Sequence, residues 1–203
     1  MVKKIRKKAE AAAPLKLDFG CGKSPREGFE GVDVIDFGQK WKVDLVKQKH
    51  FNDGSMDGSW KYLPWPWPNA SVSEAHTSHF IEHLTGLERV HFWNELYRVL
   101  VPGGKCQVIA PDFSSGRAYG DPTHQWPPFC AFALYYLSRD WRKANAPHVD
   151  VEFSPSGFSC DFAAMGGHTL HPDIVAWNDE RRNYAQTWYK EACQDLVITL
   201  EKK

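Results

Sequence analysis

The clearest indication of the fold is the segment Leu15-Lys16-Leu17-Asp18-Phe19-Gly20-Cys21-Gly22, in which a short apolar run ends in a glycine-rich turn. Such a run is typical of a buried strand, and glycines directly after it indicate a loop. Glycine has no Cβ, so the backbone of this loop lets a ligand approach closely. Ligands of open α/β sheets bind at the carboxyl ends of the strands. Residues 18–22 therefore predict a cofactor site at the end of the first strand.

The residues around this turn favour one class of cofactor. A dinucleotide site needs the pattern Gly-x-Gly-x-x-Gly, so that pyrophosphate lies on a helix N-terminus. Pro25 occupies the third glycine position, and the carboxylate of Asp18 would repel phosphate. An acid here suits the ammonium and sulfonium of S-adenosylmethionine. Asp33 ends the next predicted strand, where an acid can accept hydrogen bonds from ribose hydroxyls.

Predicted strands alternate with predicted helices along the rest of the chain. The strands are expected at 31–34, 43–45, 72–77, 105–110 and 196–200, and the helices at 86–100 and 179–192. The helix at 86–100 has apolar residues at three- and four-residue steps, which is the amphipathic pattern. Alternation of this kind implies a parallel sheet with crossover helices.

The length of 203 residues suits one domain. Residues 1–13 are basic and are predicted to be a mobile tail, with a nucleic-acid arm as the less favoured interpretation. Residues 14–203 are predicted to form a single domain with an irregular, aromatic-rich insertion at about 111–158. Prolines at alternate positions exclude a helix at 63–69, which is predicted to be an extended surface stretch carrying Trp65 and Trp67.

Composition excludes several functional classes. Lys plus Arg and Asp plus Glu both number 25, so no global field attracts nucleic acid or an anionic membrane. The five cysteines are scattered without a Cys-x-x-Cys pair, which argues against a disulfide framework or a structural zinc site. No apolar stretch reaches the length of a membrane span. The expectation is a cytoplasmic protein without a nucleic-acid partner.

Three motifs, in order, resemble those of class I S-adenosylmethionine-dependent methyltransferases. Leu17-Asp18-Phe19-Gly20-Cys21-Gly22 resembles the first motif of that family. Thr77-Ser78-His79-Phe80-Ile81-Glu82-His83-Leu84 resembles the segment after its fourth strand. Glu95-Leu96-Tyr97-Arg98-Val99-Leu100-Val101-Pro102-Gly103-Gly104 resembles the helix and turn before its fifth strand. The resemblance covers roughly residues 15–113 and is to the small-molecule, lipid and quinone branch.

The resemblance implies a fold, a cofactor and a set of site residues. The implied fold is α/β, a Rossmann-like three-layer sandwich whose mostly parallel sheet has an antiparallel C-terminal edge strand. The spacing from Gly22 to Asp33 is short, so the first crossover is expected to be a turn. The methionine end of the cofactor would contact the glycine turn, the ribose would contact Asp33, the adenine would face Asp44 and Leu45, and the methyl group would lie beside Thr77 and Ser78. The implied cofactor-binding residues are Asp18, Phe19, Gly20, Cys21, Gly22, Asp33, Asp44, Leu45, Thr77 and Ser78.

The segment His79-Phe80-Ile81-Glu82-His83 also matches the His-x-x-Glu-His pattern of inverted zinc peptidases. On a helix, the two histidines would share one face, as a zinc site requires. The methyltransferase resemblance accounts for Glu82 and His83 without a metal, so no metal is expected.

Two histidines are candidate general bases. His79 follows the predicted fourth strand, and His124 ends the segment Asp121-Pro122-Thr123-His124 in the insertion. For His124 the alternative is a polar loop histidine without a catalytic role.

Three functional classes remain open. The first is transfer of a methyl group to a small-molecule acceptor by in-line displacement. The second is S-adenosylmethionine binding without transfer, and the third is a nicotinamide-dependent oxidoreductase, which Asp18 and Pro25 disfavour. The aromatic residues of the insertion would cover an apolar acceptor or form core, and the helical spacing of Leu134, Leu137 and Trp141 favours core. The oligomeric state is not specified by these patterns.

Overall fold

The computed structural model describes residues 14–51 and 59–203, so the basic segment 1–13 lies outside the described residues. The strands are β1 (Leu15–Phe19), β2 (Glu30–Asp33), β3 (Trp41–Lys42), β4 (Gln48–Phe51), β5 (Ser59–Tyr62), β6 (Val72–Ser78), β7 (Leu100–Pro111), β8 (Phe162–Leu170) and β9 (Cys193–Lys202). The α-helices are α1 (Gly86–Val99), α2 (Arg117–Gly120), α3 (Arg139–Asn145), α4 (Pro172–Val175) and α5 (Asp179–Trp188). Short 3-10 helices cover Ile81–His83, Ala131–Leu137 and Pro147–Val149.

Seven strands form one sheet in the order β3-β2-β1-β6-β7-β9-β8. The first five are mutually parallel, and β9 is antiparallel to both of its neighbours. The predicted α/β fold with a mostly parallel sheet and an antiparallel C-terminal strand is confirmed. That strand lies one position inside the edge, because β8 pairs with its outer side. The strand expected at 43–45 is shifted, since β3 ends at Lys42.

One face of the sheet is covered by α1. The helix begins where the Glu88 carboxylate accepts a hydrogen bond from the Thr85 N–H at 2.7 Å, which is a capping interaction. Leu87 is the first of the apolar residues at three- and four-residue steps that predicted this helix, but it is 61% exposed, because the buried face of the helix is rotated away from it. The buried residues of α1 are Arg89, Phe92, Trp93, Glu95, Leu96 and Val99.

The opposite face of the sheet carries charged and polar side chains. Lys16 pairs with Glu74 at 2.6 Å and Lys105 pairs with Glu201 at 3.4 Å. The connections from β1 to β2 and from β2 to β3 contain no helix, as the short spacing from Gly22 to Asp33 predicted for the first of them. This part of the face is therefore lined by exposed charged side chains and has no crossover helix from these two connections.

The proline-rich stretch contributes two buried indoles, which corrects the surface position predicted for it. Trp65 is 4% exposed, and its indole N–H donates to the Leu45 carbonyl at 2.9 Å. Trp67 is 3% exposed. In an extended chain alternate residues point the same way, so both indoles face the core while the three prolines between and beside them face solvent. The indoles pack around Phe19 of β1.

The insertion is fixed by a buried arginine. The Arg142 side chain has no exposed surface, and its Nε donates to Asp150 Oδ2 at 2.9 Å. It also donates to the carbonyls of Tyr136 and Cys160, each at 2.8 Å. Leu137 is buried, as its helical spacing predicted, whereas Phe132 is 58% exposed. The insertion is thus part core and part exposed aromatic surface.

Across residues 14–51 and 59–203, no helix combines the length and the apolar character that a membrane crossing requires.

Candidate cofactor site

Two cavities meet at Gly20, at the carboxyl ends of β1, β2 and β6. The first, called here the Asp18 cavity, has a volume of about 330 Å³ and is lined by Asp18, Gly20, Cys21, Ser24, Arg26, His76 and Ser78. The second, the Asp33 cavity, has a volume of about 380 Å³ and is lined by Gly20, Asp33, Val34, Ile35, Val43, Asp44, Leu45, Val46, His79, Phe80, His83 and Leu84. A larger cavity of about 590 Å³ lies between the β4–β5 hairpin and α1, away from the predicted site residues.

Asp18 is held by neighbours on both carboxylate oxygens. Its Oδ1 lies 2.7 Å from His76 Nδ1, and its Oδ2 accepts a hydrogen bond from the Arg26 N–H at 2.8 Å. Asp18 and His76 are register partners on the adjacent strands β1 and β6. A carboxylate oxygen has two lone pairs, so Asp18 keeps acceptor capacity for a ligand. Sequence patterns missed His76 and Arg26, because their positions depend on strand register and on the turn.

The two glycines of the turn have different surroundings. Gly20 has φ of +68°, and a Cβ there would lie 2.5 Å from the ring of Phe80. The position that a Cβ of Gly20 would take is therefore occupied by Phe80, while Gly20 itself lines both cavities. Gly22 has φ of +55°, and nothing lies within 4 Å of its Cβ position. A Cβ would thus be free of contacts at Gly22 but not at Gly20.

Asp33 joins the glycine turn to the loop after β2. Its Oδ2 accepts from the Gly22 N–H and its Oδ1 accepts from the Ile35 N–H, both at 2.9 Å. Asp44 lines the same cavity, and its Oδ1 accepts from the Val46 N–H at 3.0 Å. Asp33, Asp44 and Leu45 are thus brought together around one cavity, as predicted.

The side chains of Phe19 and Thr77 lie outside both cavities, although the sequence placed them in the cofactor site. Each is 0% exposed, and Phe19 packs against Trp65 with ring centroids 4.8 Å apart. Successive residues of a strand point to opposite faces, so Thr77 faces the core while Ser78 lines the Asp18 cavity.

The two predicted histidines have different positions. His79 lines the Asp33 cavity in a left-handed backbone conformation, with φ of +52°. Its Nδ1 lies 3.4 Å from Glu82 Oε1, and the hydrogen bond with Glu82 raises the pKa of His79 against the opposing effect of burial. His124 lines neither cavity. Its ring centroid lies 4.8 Å from that of His83, so His83 separates it from the cavity.

Substituting Gly20 by Ala is expected to lower the free energy of unfolding by about 2–3 kcal/mol, because a positive φ and a collision with Phe80 both oppose a Cβ. Urea denaturation measures this loss. Gly38→Ala is the matched control, since its φ is +88° and its Cβ position is open. Equal losses in the two variants would mean that Phe80 imposes no packing constraint on the turn.

No family model matches the chain, and no curated protein matches it. Several solved structures match the chain. A SAM-dependent methyltransferase from Archaeoglobus fulgidus is 18% identical, with a TM-score of 0.57, and the match covers 94% of this chain and 87% of that one.

Two further structures are more distant. A 1,6-didemethyltoxoflavin-N1-methyltransferase from Burkholderia thailandensis is 13% identical with a TM-score of 0.48, over 94% of this chain and 72% of that one. A geranyl diphosphate C-methyltransferase from Streptomyces coelicolor A3(2) is 14% identical with a TM-score of 0.47, over 94% and 70%. The strand order and the similarity to the Archaeoglobus fulgidus structure together show that the chain has a Rossmann-like α/β fold, which it shares with that methyltransferase.

Proposed function

We propose that the protein is an S-adenosylmethionine-dependent methyltransferase that acts on a small-molecule acceptor. The observation that carries the proposal is the pair of cavities that share Gly20, with the carboxylate of Asp18 in one and that of Asp33 in the other. The methionine end of the cofactor would occupy the Asp18 cavity and the adenosine would occupy the Asp33 cavity.

The charges in the Asp18 cavity fit a zwitterionic amino acid. Asp18 supplies a carboxylate for an ammonium group. Arg26 lines the same cavity, and its guanidinium, which is hydrogen-bonded to Gln107 Oε1, would turn toward the cavity to bind a carboxylate. The N–H of Gly22 already donates to Asp33, so it is not a free phosphate donor. A dinucleotide would place its pyrophosphate between two carboxylates. These features support S-adenosylmethionine over a nicotinamide cofactor.

The described residues act mainly by positioning. The cofactor, when bound, supplies a methyl group on an activated sulfonium, so the reaction is an in-line displacement that depends on orientation and exclusion of water. His79 lines the Asp33 cavity and is the proposed base for an acceptor that must lose a proton. The acceptor would approach from the side of His79 and His83.

Calorimetric titration of the full chain with S-adenosylmethionine, S-adenosylhomocysteine and NAD tests this proposal. Binding of both sulfur ligands with one site per chain is expected, and NAD is expected to produce no heat of binding. Binding of NAD without binding of either sulfur ligand would contradict the proposal. Release of S-adenosylhomocysteine on addition of small phenols, carboxylic acids or amines then separates transfer from binding alone.

Substituting Asp33 by Ala is expected to weaken S-adenosylhomocysteine binding about 10- to 100-fold, since hydrogen bonds to a charged group contribute about 1.5–3 kcal/mol. Asp33→Asn keeps one acceptor oxygen, so its loss of S-adenosylhomocysteine affinity is expected to be smaller. The matched control is Asp36→Ala, because Asp36 Oδ1 also accepts a loop N–H, that of Gly38 at 3.1 Å. Wild-type affinity in Asp33→Ala, measured by calorimetry, would remove Asp33 from the ribose site.

A further inference from the structure

Three potential metal ligands converge beside the Asp33 cavity. Glu82 and His83 lie on the 3-10 helix after β6, and His124 lies on the insertion. One ligand atom from each lies within 4.8 Å of the others. We propose that Glu82, His83 and His124 form a binding site for a divalent transition-metal ion. This set differs from the zinc-peptidase pair considered from the sequence, because His79 is not part of it.

The carboxylate of Glu82 supplies an independent reason to place a cation here. Glu82 is 4% exposed, and its Oε2 has no hydrogen-bond partner in the described part of the chain. Its other oxygen, Oε1, lies 3.4 Å from His79. A buried carboxylate oxygen without a partner carries a desolvation cost that a coordinated cation would offset.

The hydrogen bonds around His83 leave one ring nitrogen available. The Thr123 hydroxyl has a single hydrogen, and it donates that hydrogen to Asp121 Oδ1 at 2.7 Å. Thr123 Oγ1 also lies 3.0 Å from His83 Nδ1, so it must accept the Nδ1 hydrogen. The Nε2 of a neutral His83 then carries the lone pair that a metal requires.

The same reasoning applies to His124. Its Nδ1 lies 3.2 Å from the carbonyl oxygen of Ala118, which can only accept, so Nδ1 carries the hydrogen. Both histidines therefore have their Nδ1 hydrogen occupied, which leaves the Nε2 lone pair for a cation. The Nε2 of His124 lies 3.8 Å from Asp121 Oδ2, which is beyond hydrogen-bond distance. Metal-binding histidines show this arrangement, because a second hydrogen bond fixes the tautomer and the orientation of the ring.

The backbone that carries the three ligands is fixed in advance. The Gln125 N–H donates to the Glu82 carbonyl at 2.8 Å, which ties the insertion to the 3-10 helix. Arg89, which is buried, donates to the carbonyls of Ile81 at 3.1 Å and Gln125 at 3.2 Å. Neither segment therefore has to become ordered when a metal binds. Small side-chain rotations would bring the three ligand atoms, which now lie within 4.8 Å of one another, to coordination distance.

The donor set defines the class of ion. Two imidazoles and one carboxylate suit Zn²⁺, Fe²⁺, Co²⁺ or Mn²⁺ better than Ca²⁺ or Mg²⁺. Three protein ligands leave coordination positions open, as in catalytic metal sites. His83 also lines the Asp33 cavity. One further step rests on the proposed function: the open coordination positions of the metal would bind an oxygen atom of the methyl acceptor.

Titration of the chelator-treated full chain with Co²⁺, followed by its visible absorption, tests the site. One Co²⁺ per chain is expected, with displacement by Zn²⁺. Glu82→Gln and His124→Asn are each expected to weaken binding at least about 100-fold, because loss of an outer-shell partner already costs about 10- to 100-fold. Thr123→Ala is expected to weaken Co²⁺ binding about 10- to 100-fold, because Thr123 contacts His83 and not the metal. The exposed controls Glu152→Gln and His148→Asn are expected to bind like the wild type.

Two results would overturn the inference. One is an absence of stoichiometric Co²⁺ or Zn²⁺ binding by the wild type, and the other is wild-type affinity in a folded Glu82→Gln or His124→Asn variant. Wild-type binding is measured directly, so the test does not depend on the folding of any variant. S-adenosylhomocysteine titrated into the same samples separates the two proposals: cofactor binding without metal binding removes only the metal site, and metal binding without cofactor binding removes only the proposed function.

Discussion

Substituting Arg142 by Met is expected to lower the free energy of unfolding by about 3–5 kcal/mol, which is the usual cost of leaving one partner of a buried ion pair alone. The Arg142 side chain is 0% exposed, and that of its partner Asp150 is 2% exposed. The variant also leaves the carbonyls of Tyr136 and Cys160 without their donor. Urea denaturation followed by far-UV circular dichroism measures the loss.

The exposed pair of Lys143 and Glu152, 3.1 Å apart, provides the matched control. Lys143→Met is expected to cost less than about 1 kcal/mol, because solvent screens an exposed pair. The double variant Arg142→Met, Asp150→Leu is expected to recover part of the loss, since no uncompensated charge remains buried. A loss in Arg142→Met no larger than that in Lys143→Met would show that the insertion is held in some other way.

The same ion pair sets a pH dependence. Burial raises the pKa of Asp150, but the N–H of Glu152 and the Arg142 guanidinium outweigh it, so the net pKa is lowered from 3.8. A carboxyl group whose folded-state pKa is lowered stabilises the fold above its unfolded pKa. That contribution is lost as the pH falls from 3.8 through the folded-state value, and Asp150→Asn should show less of this acid-dependent loss.

Substituting His79 by Asn is expected to lower turnover about 100- to 10,000-fold for an acceptor that must lose a proton, because this is the usual contribution of a general base. Asn tolerates the positive φ of 52° at this position and cannot take the proton. Turnover is measured as S-adenosylhomocysteine formation with the best acceptor from the small-molecule panel.

Two comparisons distinguish a role of His79 as general base from its other possible effects on the protein. S-adenosylhomocysteine affinity is expected to fall far less than turnover in His79→Asn, since the proton transfer by a base stabilises the transition state of the reaction. His148→Asn, at an exposed position away from both cavities, is expected to keep wild-type turnover. Undiminished turnover in His79→Asn with a hydroxyl acceptor would exclude His79 as the base.

The elements that the sequence predicted well are those with a strong local pattern. The expected helix at 86–100 and strand at 72–77 correspond to α1 at Gly86–Val99 and β6 at Val72–Ser78. Apolar periodicity and flanking turn residues determine both, and neither depends on distant parts of the chain. The acid-and-glycine pattern at 18–22 likewise predicts a cofactor site from local residues alone.

The features that the sequence did not reveal depend on distant contacts. Strand β8 reads Phe-Ala-Ala-Met-Gly-Gly-His-Thr-Leu, which has no alternation, and it forms by pairing with β9. The contact of Asp18 with His76 depends on strand register. His124 joins Glu82 and His83 only because the insertion folds back over the 3-10 helix. Trp65 and Trp67 lie in the core because alternate residues of an extended chain point the same way. The prolines around them made this segment resemble a surface loop in the sequence.

The direction of β9 offers a practical attachment point. The strand starts at Cys193 near the carboxyl ends of the parallel strands and runs back to Lys202. Its ten residues span about 30 Å at the usual rise per residue. A fluorophore or a surface tether joined after Lys203 would therefore project from the end of the sheet opposite both cavities. Binding measurements on the immobilised protein should use that end, where attachment leaves both proposed sites open.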